Sequence, residues 1–181
     1  MRKALLLAIA LLCACKEEKG PPIAANTKSI ADSADQVLYG QRMLITDRGL
    51  NRAEILSDTA YFFDENTRTE MRVVRGTFFD AQGKTDAILT SRTGLFNQRL
   101  NSLEARGDVV ITTIDGRHLE TPFVRYDQRV NLVSSDSVFT LTTEDGRVLH
   151  GIGFTTDPDL NSVHIVKTLS ARAGAVVIPK E

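Results

Sequence analysis

The residues of this 181-residue chain that could do chemistry are three histidines, two cysteines and a set of aspartates. His118, His150 and His164 could serve as bases or metal ligands, but they fall in separate stretches with no nucleophile or second ligand at a matching spacing. Gly151-Ile152-Gly153 opens like a dinucleotide-binding turn, yet no third glycine and no helix follow, so its role is in the backbone, as a bulge or a close strand approach. Asp64, Asp127, Asp157 and Asp159 sit at turns, where an aspartate accepts hydrogen bonds from nearby amides. No Gly-x-Ser-x-Gly and no phosphate loop exists, so the chain is read as a non-enzyme with no metal and no cofactor. Lys and Arg total 22 against 23 Asp and Glu, which gives no broad positive field and excludes nucleic acid as the expected partner.

The remaining reactive group is Cys15. Arg2 and Lys3 precede the apolar run Ala4 to Leu12, far shorter than the roughly 20 residues of a membrane-spanning helix. The run ends in Leu12-Cys13-Ala14-Cys15, which resembles the bacterial lipobox, in which the final cysteine receives diacylglycerol and becomes the mature N-terminus. Cys15 is therefore the expected lipidation site and membrane anchor. Residues 1–14 read as a lipoprotein signal peptide and 15–36 as a lipidated N-terminus with a flexible tether, since Lys16-Glu-Glu-Lys-Gly-Pro-Pro is too polar and too punctuated to pack.

An export signal and tether must serve a folded part, expected over 37–174 with a tail at 175–181. Short alternating runs recur through it, and no window keeps helical spacing, so the fold class is all-β. The turn glycines Gly49, Gly83, Gly116 and Gly146 recur at intervals of 34, 33 and 30 residues, and a second turn falls midway in each repeat. Each repeat is thus two strands. Aligning the midway turns superposes Leu56, Leu89, Leu119 and Leu149, and brings Phe63, Phe96 and Tyr126 together just before the turn. The clearest alternation sets Leu103, Ala105, Val109 and Ile111 against Glu104, Arg106 and Asp108. Pro122 donates no ladder hydrogen bond, and a bulge near it would return Leu119 and Thr121 to the same face as Val124 and Tyr126. Strand pairs with one apolar face each must stack or face one another, as a sandwich, a jelly roll or a solenoid, all with open ends.

The strand pair Leu119-x-Thr-x-x-Val-x-Tyr-Asp127, the run Asn131-Leu-Val-Ser-Ser-Asp136 and the ending Gly151-Ile-Gly-Phe-Thr-Thr-Asp157, behind a lipobox and tether, resemble the LptC family of lipopolysaccharide export proteins. The resemblance spans about residues 37 to 170. It implies an open twisted β-jelly roll of repeated antiparallel strand pairs, LptA/LptC-like, that holds lipopolysaccharide acyl chains in an apolar groove. The lining implied is Leu56, Leu89, Leu103, Ala105, Val109, Ile111, Leu119, Val124, Tyr126, Leu132, Val138 and Phe154, residues that read equally well as the solid core of a β protein. It also implies two protein partners: an LptA-like periplasmic protein, met by the C-terminal strand around Val163, Ile165 and Val166, and an inner-membrane lipopolysaccharide ABC exporter, met by residues 37–46. The expected location is the periplasm, lipid-anchored, at the inner membrane by family; Lys16 points instead to the outer membrane by the enteric sorting rule. The alternative reading is a structural or adhesive β-repeat surface lipoprotein that carries no lipid.

Overall fold

The computed structural model describes residues 29–47 and 49–172. The lipobox, Cys15 and most of the expected tether lie outside the described residues, as does Arg48. A short 3-10 turn, Ile30–Ser33, is capped by Ser29 and leads into the sheet.

Nine antiparallel strands follow: β1 (Gln36–Asp47), β2 (Leu50–Phe63), β3 (Arg68–Phe79), β4 (Thr85–Asn97), β5 (Ser102–Thr113), β6 (His118–Asp127), β7 (Leu132–Thr142), β8 (Val148–Thr156) and β9 (His164–Arg172). They pair strictly in chain order in one open sheet, with β1 and β9 as its two edges. Every turn foreseen from glycine, aspartate and asparagine lies between two of these strands. The repeat is visible in chemical detail. In the β5–β6 and β7–β8 turns, Thr113 and Thr143 hydrogen-bond to Asp115 and Asp145, while the amides of Gly116 and Gly146 donate to the threonine carbonyls at 3.1 and 2.9 Å.

One sheet of this length cannot bury its apolar face while flat, and the register explains how it does so. Near mid-strand every strand carries an irregularity, and these align from edge to edge into a crease. Gly40 stands across from Asp58, Asp58 from Val73, and Val73 from Arg92. The ladder then shifts where Gly107-Asp108 oppose Pro122 and where Asp136-Ser137 oppose Gly153, which in turn faces Val166. The backbone is left-handed at Gly40, Val73, Gly107, Asp108 and Gly153, the conformation that lets a strand bend sharply.

Across the crease the side-chain alternation is reset. Buried residues on either side are three apart in Ser57/Ala60, Met71/Val74, Ser91/Gly94, Thr121/Val124 and Gly151/Phe154, where plain alternation would alternate their faces. Both arms of each strand therefore direct their apolar side chains inward, and the sheet folds into two layers that face each other. The layers touch directly. Phe78, on one arm of β3, meets Tyr126, on the other arm of β6, edge to face at 5.6 Å; Phe139 meets Phe154 across the crease at 5.1 Å. The bulge expected at Pro122 is present in this form. Leu119, Thr121, Val124 and Tyr126 are all buried, and the extra residue lies in the partner strands rather than in β6 itself. The all-β, open jelly roll is thus the observed architecture.

Candidate functional site

The apolar interior between the layers is the largest chemically distinctive feature of the described residues. Its centre is solid. Leu89, Leu103, Ala105, Val109, Ile111, Leu119, Val124, Tyr126 and Phe154 are all buried there, with Ile55, Met71, Phe78 and Phe139 packed among them. Two glycines permit this density. A Cβ at Gly94 would stand 3.1 and 3.2 Å from Val74 and Met71, and one at Gly151 would overlap the Phe139 ring.

The ends are not solid. Beside β1 a cavity of about 650 Å³ has an apolar wall of Leu38, Met43, Leu44, Ile45, Phe62 and Phe96 and a polar one that includes Gln41, Thr69, Gln98, Asn101 and Gln128. At the other end a cavity of about 600 Å³ is lined by Leu141, Leu149, Leu160, Val163 and Ile165, with Arg117, Arg147, Glu144 and Asp145 at its rim. Met43, Phe62, Phe96, Leu149, Val163 and Ile165 are half-buried, packed against the core yet facing these openings. Such side chains lose little on meeting another apolar surface and gain from excluding water. Hence the interior presents two mouths, each with an apolar wall and a polar rim, on either side of a packed centre.

Three residues expected in the interior lie elsewhere. Leu56, Leu132 and Val138 are 38%, 38% and 55% exposed, and they face outward. For Leu56 the reason is register. From the crease residue Asp58 to Phe63 is one residue farther than from Arg92 to Phe96, so aligning on the turn puts Leu56 where Ile55 belongs, and a one-residue slip exchanges faces. Val138 lies with Pro122 and Leu169 in a cleft of about 560 Å³ on the outer face, near the crease. Of the C-terminal residues singled out, Val163 and Ile165 line a mouth, while Val166 is 79% exposed on the edge strand β9. The mouth residues Phe62 and Leu160 escaped the sequence reading, and Met43 and Leu44 entered it only within the segment 37–46 expected to meet the exporter. The burial of both arms depends on the crease, which no single strand's alternation reveals.

Polar groups close one side of the seam between the layers. Arg117, in the turn just before β6, donates to the Asp159 carbonyl at 3.2 Å and so straps the β8–β9 loop onto the β5–β6 turn. Beneath that strap Asp86, Asp157 and Asp159 line a cavity of about 290 Å³ with Arg52, Phe78 and Tyr126. Burial, and then the hydrogen bond and charge of Asp157, push the Asp159 carboxyl above the usual carboxylate range. Burial also raises Asp86, seconded by the charges of Asp80, Asp115 and Asp157. The Tyr126 phenol is raised by burial and donates to Asn131 at 2.9 Å. At the exposed β7–β8 turn the Thr143 hydroxyl, and then Arg147, hold Asp145 down to about 2. No cluster of His, Cys, Asp and Glu among the described residues could hold a metal ion.

An open β roll of antiparallel strands paired in chain order is the architecture that the sequence resemblance implied. No curated protein matches the sequence. The family described as lipopolysaccharide-assembly, LptC-related, matches residues 4–172, nearly the whole chain, and the protein belongs to that LptC family.

Proposed function

We propose that this domain takes lipopolysaccharide acyl chains between its two layers and relays them from an inner-membrane ABC exporter to an LptA-like periplasmic bridge. Membership in the LptC family carries the general role: a transport and binding component of lipopolysaccharide assembly, located in the periplasmic envelope at the inner membrane. The observation that supports the specific reading is the crease. By turning both arms of every strand inward it builds an elongated apolar interior that opens at two ends. A fatty chain needs an apolar trough rather than convergent polar groups, and each methylene removed from water contributes about 0.8 kcal/mol. The chains enter at the mouths, where apolar side chains are half-buried, and the packed centre yields as the layers part. At the two edges β1 and β9 leave backbone donors and acceptors unpaired, which suits strand addition by a partner of the same fold. Val163, Ile165 and Val166 are the proposed contacts on the β9 side. Cys15, acylated, is the proposed anchor.

The test is photocrosslinking from a benzophenone side chain placed at Phe96 and Leu149, one in each mouth, with Leu132 and Val138 on the outer face as comparison positions. Crosslinks to lipopolysaccharide are expected from the two mouth positions and not from the outer pair. Equal crosslinking from Val138, or none from Phe96 and Leu149, would overturn the proposal.

A further inference from the structure

One residue on the outer crest of the crease is in a conformation its side chain disfavours. Val73 has φ of 51°, in the left-handed region, and it is 68% exposed. A β-branched residue there is strained, because its Cβ crowds the backbone. Three other strands meet the same bend with glycine: Gly40 in β1, Gly107 in β5 and Gly153 in β8. Glycine at 73 would make the bend with no such strain. What valine adds is an apolar side chain directed at solvent.

Its surroundings carry charge of one sign in excess. Arg72 and Arg75 flank it, both exposed, and neither forms an ion pair among the described residues. Across the ladder Arg92 is bound to Asp108 at 2.7 Å. Asp58, on the other side, is the nearest uncommitted carboxylate by register, and its Oδ2 accepts from the Thr59 hydroxyl at 3.3 Å. Set against Asp58, the two unpaired arginines Arg72 and Arg75 leave the crest a surplus of one positive charge. Leu56, paired in register with Arg75, extends the apolar patch outward from Val73.

We infer that this crest, Val73 with Arg72, Arg75 and Leu56, is a contact for the surface of a bilayer containing anionic phospholipids. Two free guanidiniums match phosphate headgroups, and an apolar tip between them reaches past the headgroups towards the acyl region. An interaction of this size is weak by itself. It suffices in a chain held near a membrane, where tethering raises the effective concentration. It would hold the roll in one orientation on the membrane, crease crest down, with both mouths lying alongside the surface.

The sequence contains no tryptophan, so Val73→Trp places a single reporter at the crest. The full chain, reconstituted into phosphatidylcholine vesicles with and without phosphatidylglycerol, is examined for quenching by lipids that carry nitroxides in their acyl chains. Val138→Trp, on the outer face elsewhere, is the comparison. The expected result is quenching at 73 only, present with phosphatidylglycerol and lost without it. In Arg72→Gln and Arg75→Gln the population in contact falls about fivefold for each arginine removed, from a contribution near 1 kcal/mol per cation at an anionic surface. Circular dichroism confirms that these exposed substitutions keep the fold. Quenching at 73 that ignores phosphatidylglycerol, equal quenching at 138, or none at either position would overturn the inference. The outcome is independent of whether acyl chains enter the mouths.

Discussion

Replacing Gly151 with alanine tests whether the layers are packed as tightly as the register implies. The residue pairs with Phe139 of β7 on one side and Thr168 of β9 on the other. Its φ is ordinary, so the effect of a methyl group is steric alone. The added Cβ would stand 2.6 and 2.7 Å from two Phe139 ring carbons and 2.8 Å from the Lys167 carbonyl oxygen. Ordinary contact begins near 3.4 Å, so something must move by about 0.8 Å. The ring cannot retreat freely, because it is packed edge to face against Phe154. The carbonyl belongs to the backbone of an edge strand, which can move only by loosening its ladder to β8. Overpacking of this kind costs about 1–3 kcal/mol, and two obstacles place it at the upper end. The lower chain entropy of alanine returns about 0.5–1 kcal/mol. The net expectation is a loss of about 2 kcal/mol in urea denaturation followed by far-ultraviolet circular dichroism. Phe139→Leu in the Gly151→Ala background removes the ring obstacle and not the carbonyl, so part of the loss returns relative to Phe139→Leu alone. A Gly151→Ala protein within about 0.5 kcal/mol of the parent, or a double variant with no coupling, would refute the close approach of β7, β8 and β9.

Val109 is wholly buried, so Val109→Asp places an unpaired carboxylate in the packed centre and should abolish cooperative unfolding at neutral pH, a loss above about 4 kcal/mol; a folded variant would mean that the centre holds water or lipid. Val73→Gly relieves about 1–2 kcal/mol of left-handed strain and adds about 0.5–1 kcal/mol of chain entropy, so it should raise stability by a net of about 0.5–1 kcal/mol in the same urea assay, and a lower value than the parent's would refute that strain. The Asp159 carboxyl is raised in the folded state, so its contribution to stability is full below the unfolded value near 3.8 and is lost as pH rises through the folded one. Asp159→Asn should therefore stabilise the protein at pH 7, by less than about 1 kcal/mol because the pair is partly solvated, and the gain should vanish in thermal melts below pH 3.8. A gain that persists in acid would point to a cause other than charge.

The amino-acid sequence alone determined the strand pairs, their turns and the direction of the fold class. Those features are local: glycine, aspartate and asparagine specify turns, and alternation specifies a one-faced strand, within a dozen residues of each other. Leu103, Ala105, Val109 and Ile111 were legible as an inward face for that reason, and Gly151-Ile152-Gly153 as a place of close approach. The family, too, was legible from the pattern of strand pairs. The tertiary structure alone decided where both arms of each strand point. The crease is a property of nine strands in register, assembled from Gly40, Asp58, Val73, Arg92, Gly107, Pro122 and Gly153, and its position in β2 differs by one residue from that in β4. Because side chains alternate with a period of two, that single residue sends Leu56 outside and Ile55 inside. The mouths likewise arise where one layer crosses the other, between residues far apart in the chain such as Ile45 and Asn101. Spacing along a strand carries no record of which distant strand will cover it.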